Sequence, residues 1–274
     1  MEARLFRKFT DLAYQHAGIA LSDEKEALVS ARVAKRIRAL GLETEQQYIR
    51  HLEEESSGEE LILFLDAIST NFTSFFREAD HFQYLDELLR QWLAEGRRRL
   101  RLWCAAAATG EEPYSIAMVL REALGDSPAD ARLLATDIST HALSKAVAGV
   151  YESERLKPLT KQQSQTYFAY ERQDERGTTW YRVSPALREL LVFKRLNLNQ
   201  PPFPLNGPLD VVFCRNVMIY FDRRVRQRLI AEIERLLKPG GVLFIGHTET
   251  LSGLKHRFEL VRPSVLRKPK GATA

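Results

Sequence analysis

The chain has 274 residues, 45% hydrophobic and 28% charged, enough to bury one large core or two smaller ones. It lacks a run of about 18 apolar residues, and its start, MEARLFRKF, has no apolar h-region, so a cytoplasmic protein without membrane insertion is expected. The net charge of +4 divides unevenly, with 11 Lys/Arg against 18 Asp/Glu in residues 1–95 and 29 against 18 beyond, but no basic stripe is interleaved with aromatics, which argues against a nucleic-acid binder.

Residues 1–95 have helical periodicity and almost no strand signal. Leu5, Phe9 and Leu12 share one face of an opening helix. Ser22 is placed to cap the next, where Val29, Val33, Ile37 and Leu40 form an apolar stripe and Gly41 the stop. Beside that stripe run Lys25, Arg32, Lys35 and Arg36, which read either as solvated surface or as a face for an acidic partner. Leu61, Leu63, Phe64, Leu65 and Ile68 make another helix, and Phe82, Leu85, Leu88, Leu89 and Trp92 a longer one. In the connection between them, Phe72, Phe75 and Phe76 are expected to join the core, leaving Asn71, Thr73 and Arg77 to cover a bound ligand.

From about residue 99 the period changes. Residues 100–104 read as a strand, 111–124 as a helix and 131–136 as a second strand ending at Asp137, with Ser139 capping the helix that follows. Tyr167–Tyr170 and Trp180–Val183, joined by the polar turn RQDERG, read as an antiparallel excursion. Residues 210–214 give a third strand, 223–237 a helix capped by Asp222, and 242–245 a fourth strand, so the main sheet is built of parallel βαβ units. The tail RKPKGATA reads as disordered, and Cys104 and Cys214, both in apolar strands, as reduced core residues rather than a metal site or redox pair. No metal site is expected. The organisation is therefore α/β: a helical domain over 1–80, a connecting helix over 81–98 and a sheet domain over 99–274 with an antiparallel subdomain at about 165–195.

Two places carry chemistry. The turn after the first strand, Ala105-Ala106-Ala107-Ala108-Thr109-Gly110-Glu111-Glu112, lacks G-x-G-x-x-G but is small enough for close backbone approach. Its two carboxylates oppose a pyrophosphate and suit a cationic ligand such as S-adenosylmethionine, although acidic residues also serve simply to start a helix. Asp137, about 25 residues on, stands where a carboxylate accepts ribose hydroxyls, or else caps a helix. The third strand stops on Arg215-Asn216, at the carboxyl end where open α/β sheets bind ligands.

The segments STNFTSFFRE, TGEEPYSIA, LLATDIS, FCRNVMIYF and LLKPGGVLFIGHTE resemble, in order, the signatures of the chemotaxis receptor glutamate methyltransferases, the CheR family. The resemblance covers nearly the whole chain and implies a class I, Rossmann-like methyltransferase sheet behind a small all-α domain. It implies S-adenosylmethionine as methyl donor, and Asn71, Thr73, Arg77, Glu112, Asp137, Asn197, Leu198, Arg215 and Asn216 as its contacts. It implies Arg77 and Tyr220 as the active-site pair, and the cytoplasmic helical domain of a chemotaxis receptor as partner of a monomeric enzyme; where the stripe Lys25, Arg32, Lys35 and Arg36 is a docking face rather than solvated surface, it would meet an acidic helix of that receptor. Ala107-Ala108 replaces the family's more usual Cys-Ser, and RQDERG lacks the G-x-G-P of members that dock on a receptor's carboxy-terminal pentapeptide. The competing readings are a non-catalytic, S-adenosylmethionine-sensing module on a signalling partner, and a methyltransferase acting on RNA or a small molecule.

Overall fold

The computed structural model describes residues 1–69 and 71–271, so Thr70 of the STNFTSFFRE segment and the last three residues of the tail lie outside them. The chain opens with α1 (Ala3–Ala17), α2 (Glu26–Ala39), α3 (Glu45–Glu54) and α4 (Glu59–Ile68). Their buried stripes meet in one core, where the rings of Phe9, Tyr48 and Phe64 lie 5.7–6.4 Å apart. Three expectations change here. Ser22 makes no side-chain cap; its carbonyl accepts from Lys25 N–H, residues 23–25 tighten into a 3-10 turn, and α2 starts at Glu26. Leu40 follows the last turn of α2 and is exposed, off the buried stripe. Helix α3 was not anticipated, although its Thr44–Gln47 capping box is a local signal.

The basic stripe on α2 is also divided. Glu60, 5% exposed, takes Arg36 through both carboxylate oxygens (2.9 and 2.6 Å) and the Tyr48 hydroxyl at 2.7 Å. Arg32 donates to the carbonyls of Ala67 and Ser69 at the end of α4. Lys25 and Lys35 alone of the four are exposed.

The second part runs α5 (Ala79–Ala94), β1 (Arg99–Cys104), α6 (Glu111–Leu124), β2 (Asp130–Asp137) and α7 (Thr140–Ala148). It continues through β3 (Val150–Glu152), α8 (Lys161–Tyr167), β4 (Phe168–Gln173), β5 (Thr179–Val183), α9 (Pro185–Arg188) and β6 (Leu191–Arg195). It closes with β7 (Leu209–Cys214), α10 (Arg223–Leu236), β8 (Leu237–Ile245), β9 (Glu259–Arg262) and β10 (Val265–Arg267). Among the described residues the main sheet has the order β6-β2-β1-β7-β8-β10-β9, parallel from β6 to β8 and antiparallel beyond. The central strand β7 is buried at every position, with Val211 and Phe213 in the core under α5 and α6 and Val212 and Cys214 in the core under α10. Cys104 and Cys214 thus belong to cores on opposite faces of the sheet, and burial raises both thiol pKa values.

The antiparallel excursion is the small sheet β3-β5-β4, whose turn Asp174 holds by accepting from Arg176 and Thr178 N–H and from Trp180 Nε1. It starts at Val150 rather than near 165, while β6, within the expected excursion, instead pairs in parallel with β2 from Leu133↔Leu191 to Asp137↔Arg195. The β9–β10 hairpin on the other edge was not foreseen either. Arg267 of the expected disordered tail lies in β10, and Lys268, 8% exposed, donates to the carbonyls of Glu234 and Leu237. Its ammonium satisfies backbone acceptors at the end of α10, and burial lowers its pKa.

Candidate active site

The sheet changes direction between β1 and β7: from β1 the chain steps outward to β2 and β6, from β7 to β8. The carboxyl ends of strands at such a point open onto a crevice. Here it is a cavity of about 460 Å³, closed on its other side by the end of α1 and the segment after it through Ala17 and Ile19.

The turn after β1 supplies Ala105, Ala106 and Ala108 to the wall. Gly110 ends it at φ +101°, and a Cβ there would lie 2.5 Å from the Tyr151 hydroxyl oxygen, so only glycine lets α6 begin this close to α7. Asp137 ends β2 with Oδ2 accepting from Ala108 N–H (2.8 Å) and Oδ1 from Ser139 N–H (2.9 Å). Asp137 is not the cap of α7, a role Ser139 takes; its carboxylate joins two turns and lines the cavity. Ser139 caps α7 through Ala142 N–H and receives Asn71 Nδ2 at 3.5 Å. Burial raises the Asp137 pKa against the opposing effect of the two N–H bonds.

The end of β7 supplies Arg215, 3% exposed. Its Nη1 reaches Glu112 at 2.6 Å, its Nη2 reaches the Arg77 carbonyl at 2.5 Å and Glu78 at 3.0 Å, and its Nε has no partner. The guanidinium lies over the rings of Phe82 and Phe213 at 5.5 and 5.9 Å. Burial raises Glu112 despite Arg215; burial also pushes Glu78 upward, but there Arg215, Asn216 and His247 prevail and its pKa is lowered. Glu111 faces away, toward Thr109 and Arg155.

Asn216 adopts φ +57°, with its N–H on Glu249 (2.9 Å) and its Nδ2 on Glu78 (3.3 Å). Glu249 accepts two more N–H groups, from Gly246 (2.7 Å) and Met218 (2.8 Å). The following 3-10 turn, Met218–Tyr220, carries Tyr220, whose carbonyl accepts from Ala20 N–H while Ile19 and Phe221 form a bridge. Asn197 donates to the His16 carbonyl at 2.6 Å, which places it and buried Leu198 beside the end of α1.

All the sequence-derived site residues thus line one cavity: Asn71, Thr73 and Arg77; Glu112 and Asp137; Asn197 and Leu198; Arg215, Asn216 and Tyr220. Phe75 is buried and Phe76 packs on the core, but Phe72, in the loop between half-buried Asn71 and buried Thr73, is 75% exposed at the cavity. Glu78 and Glu249 were not singled out, although each stands at the end of a quoted segment, FFRE and GHTE. Sequence gave no sign that one would hold Arg215 and the other three backbone N–H groups.

Behind Glu78 lies His81, fully buried, with neither ring nitrogen hydrogen-bonded. Burial, then the nearby Arg215, depresses its pKa to about 4 against the opposing pull of Asp80 and Glu78. The unfolded chain binds this proton near pH 6.5 and the folded chain only near 4, so this group lowers stability as pH falls through that window. Glu112 and Asp137, with raised pKa values, act in the opposite sense. The expected result is a thermal midpoint that falls less between pH 7 and 4.5 in His81→Leu than in the unsubstituted protein, read by circular dichroism.

Residues 71–266 match the family model described as CheR methyltransferase, SAM binding domain, and residues 4–69 match CheR methyltransferase, all-alpha domain. The chain is 44% identical over 255 residues to the Chemotaxis protein methyltransferase of Escherichia coli (strain K12), covering 93% of this chain and 87% of that protein. It is 43% identical over 255 residues to the Salmonella typhimurium protein of the same name, covering 93% and 86%. It is 39% identical over 260 residues to Chemotaxis protein methyltransferase 2 of Pseudomonas aeruginosa, covering 95% and 91%.

Proposed function

Because the chain belongs to the CheR family of chemotaxis protein methyltransferases, we propose that it converts glutamate side chains on the cytoplasmic helices of chemotaxis receptors to methyl esters. The observation that carries this reading is the polarity of this cavity. Its buried lining holds Asp137 and the pair Glu112–Arg215, with Glu78 also on Arg215, while the Arg77 and Lys25 side chains are more exposed.

The donor set suits S-adenosylmethionine. An excess of buried carboxylate favours a ligand carrying ammonium and sulfonium charge and no phosphate. Among the described residues each oxygen of Asp137 accepts one short N–H bond, from Ala108 and from Ser139, which leaves lone pairs for ribose hydroxyls. The unpartnered Nε of Arg215 leaves a buried donor for the ligand or its water. Glu112 would face the ammonium, with Asn71, Thr73, Asn197, Leu198 and Asn216 completing the enclosure.

When bound, S-adenosylmethionine supplies a methyl group that bonds to the acceptor carboxylate oxygen as the carbon–sulfur bond breaks, its electron pair remaining on the thioether of S-adenosylhomocysteine. A glutamate is already ionised at neutral pH, so the chain need supply no base. Its task is to orient and desolvate that carboxylate without neutralising it, since a tight ion pair would stabilise the reactant more than the transition state. Tyr220 is suited to this: its hydroxyl makes no hydrogen bond among the described residues and lines the cavity. Arg77, held by Nη1 to the Phe72 carbonyl at 3.3 Å, steers the carboxylate from the partly exposed side.

With a labelled donor and a receptor cytoplasmic fragment, the label should leave as methanol in alkali. Base-stable label, or none, would reject the ester. Tyr220→Phe should lower kcat about tenfold with S-adenosylhomocysteine affinity unchanged, and Arg77→Ala should raise the KM for the fragment about tenfold. A normal kcat in Tyr220→Phe together with a normal fragment KM in Arg77→Ala would sink these roles. Receptor contact by charge rests on Lys25 and Lys35, because charge reversal at Arg32 or Arg36 would disrupt the helical core. No helix among the described residues is long and apolar enough to cross a membrane.

A further inference from the structure

Glu78 and His81, at the start of α5, meet His247, in the loop after β8, beside the cofactor cavity rather than in its lining. One nitrogen of each ring and one Glu78 carboxylate oxygen lie within 4.8 Å of one another. Glu78 Oε2 is 3.6 Å from His81 Nδ1 and 3.9 Å from His247 Nε2, and Asp80 Oδ2 is 3.2 Å from the same His247 nitrogen. A tetrahedral ion with bonds of about 2.0–2.1 Å holds its ligand atoms roughly 3.4 Å apart, so small side-chain shifts would close this set around one. His81 points the same way independently. It is fully buried, its ring packs on those of Phe244 and His247 at 5.5 and 4.8 Å, and neither of its nitrogens is hydrogen-bonded. Packing alone would be better served by an apolar ring, since an unpartnered buried polar atom is costly. The sequence predicts no metal site, because His81 and His247 stand far apart along it and only the fold brings them together.

We propose that Glu78, His81 and His247 form a binding site for a divalent ion of the zinc class, with the exposed Asp80 carboxylate able to take a fourth position. Two imidazole nitrogens beside carboxylate oxygen favour zinc over magnesium or calcium, which prefer oxygen ligands alone. The site has a consequence for the cofactor. Glu78 also accepts from Arg215 at 3.0 Å and from Asn216 Nδ2 at 3.3 Å, so an ion drawing on this carboxylate competes with the guanidinium and repels it. Occupancy therefore opposes cofactor binding, and the cofactor opposes the ion to the same degree. This linkage, unlike the site itself, rests on the reading above in which Arg215 faces the cofactor.

The test titrates chelator-treated protein with Zn²⁺ alone by calorimetry, with and without saturating S-adenosylhomocysteine. A single ion should bind the unsubstituted protein and raise its thermal midpoint, and Mg²⁺ at the same concentration should do neither. His247→Ala, at an exposed position, and His81→Phe, which keeps a ring against Phe244, should each weaken Zn²⁺ by at least about hundredfold, and Asp80→Asn by about tenfold. Saturating S-adenosylhomocysteine should weaken Zn²⁺ about tenfold in the unsubstituted protein. No Zn²⁺ binding, or Zn²⁺ held as tightly in both histidine variants, overturns the site. Zn²⁺ affinity indifferent to S-adenosylhomocysteine overturns the linkage. If the metal-free protein binds no S-adenosylhomocysteine, the cofactor reading fails and the linkage with it, while the titration with Zn²⁺ alone still decides the site.

Discussion

Arg215→Met should weaken S-adenosylhomocysteine binding about hundredfold and lower the thermal midpoint by roughly 10 °C. The guanidinium stands between two carboxylates, Glu112 at 2.6 Å and Glu78 at 3.0 Å, and it is 3% exposed. Removing one member of a buried ion pair costs about 3–5 kcal/mol, because the remaining charge keeps its desolvation penalty and loses its partner. Glu112, whose pKa burial already raises, would suffer most. Methionine keeps the contact with Phe82 and Phe213, so the loss reports charge rather than volume. The double variant Arg215→Met/Glu112→Gln separates the two effects. It should regain part of the thermal midpoint, since of the two carboxylates only Glu78 remains, still accepting from Asn216 Nδ2 and His247 N–H, and none of the cofactor affinity. Calorimetric titration and thermal melting read both. An Arg215→Met protein with normal affinity and midpoint would remove this triad from the account.

Much of this site was legible because its residues stand where strands stop. The change of period at residue 99, the acidic turn after β1, Asp137 at the end of β2 and Arg215-Asn216 at the end of β7 are local signals. A parallel sheet must bring such ends to one side. What the sequence concealed depends on partners distant along the chain. Arg36 looked like part of a solvated stripe, but its carboxylate partner is Glu60, a helix and a loop away. Asn197 reaches His16 across 181 positions, and no periodicity encodes that pairing. Edge elements were lost for another reason. In β6 the run Leu191-Val192-Phe193 gives way at once to charged residues, and β9 is exposed throughout, so neither has the continuous apolar signature of a central strand. Phe72 was misplaced because composition ranks a phenylalanine as core, whereas this one stands in a loop and is exposed at the cavity.

Glu249 carries the second large effect. Its Oε2 accepts from Gly246 (2.7 Å) and Asn216 (2.9 Å), its Oε1 from Met218 (2.8 Å), and the residue is 9% exposed. Three N–H groups from the ends of two neighbouring strands are therefore satisfied by one carboxylate, and Gly246 has no room for a side chain because a Cβ would lie 2.5 Å from Asn216 Nδ2. The result is a fixed course for residues 215–220. It holds Asn216 at φ +57°, a conformation that a non-glycine residue adopts only when its surroundings impose it. On either side of that residue stand the guanidinium proposed to face the cofactor and the tyrosine proposed to face the substrate. Glutamine at 249 has one acceptor oxygen and an amino group, so at least one N–H must meet a donor. An unsatisfied buried donor costs about 1–3 kcal/mol, and here the strained turn would relax to avoid it. Glu249→Gln should therefore lower kcat/KM for the receptor fragment about hundredfold, through both weaker S-adenosylhomocysteine binding and lower kcat, with a smaller fall in thermal midpoint than Arg215→Met. A residue that merely supported the fold would lose midpoint in proportion to activity. Asn216→Gly should blunt the thermal effect of Glu249→Gln, because glycine accepts positive φ without help, while leaving the catalytic loss in place. Normal kcat and normal affinity in Glu249→Gln would mean that the turn carrying Arg215 and Tyr220 holds its shape without this carboxylate.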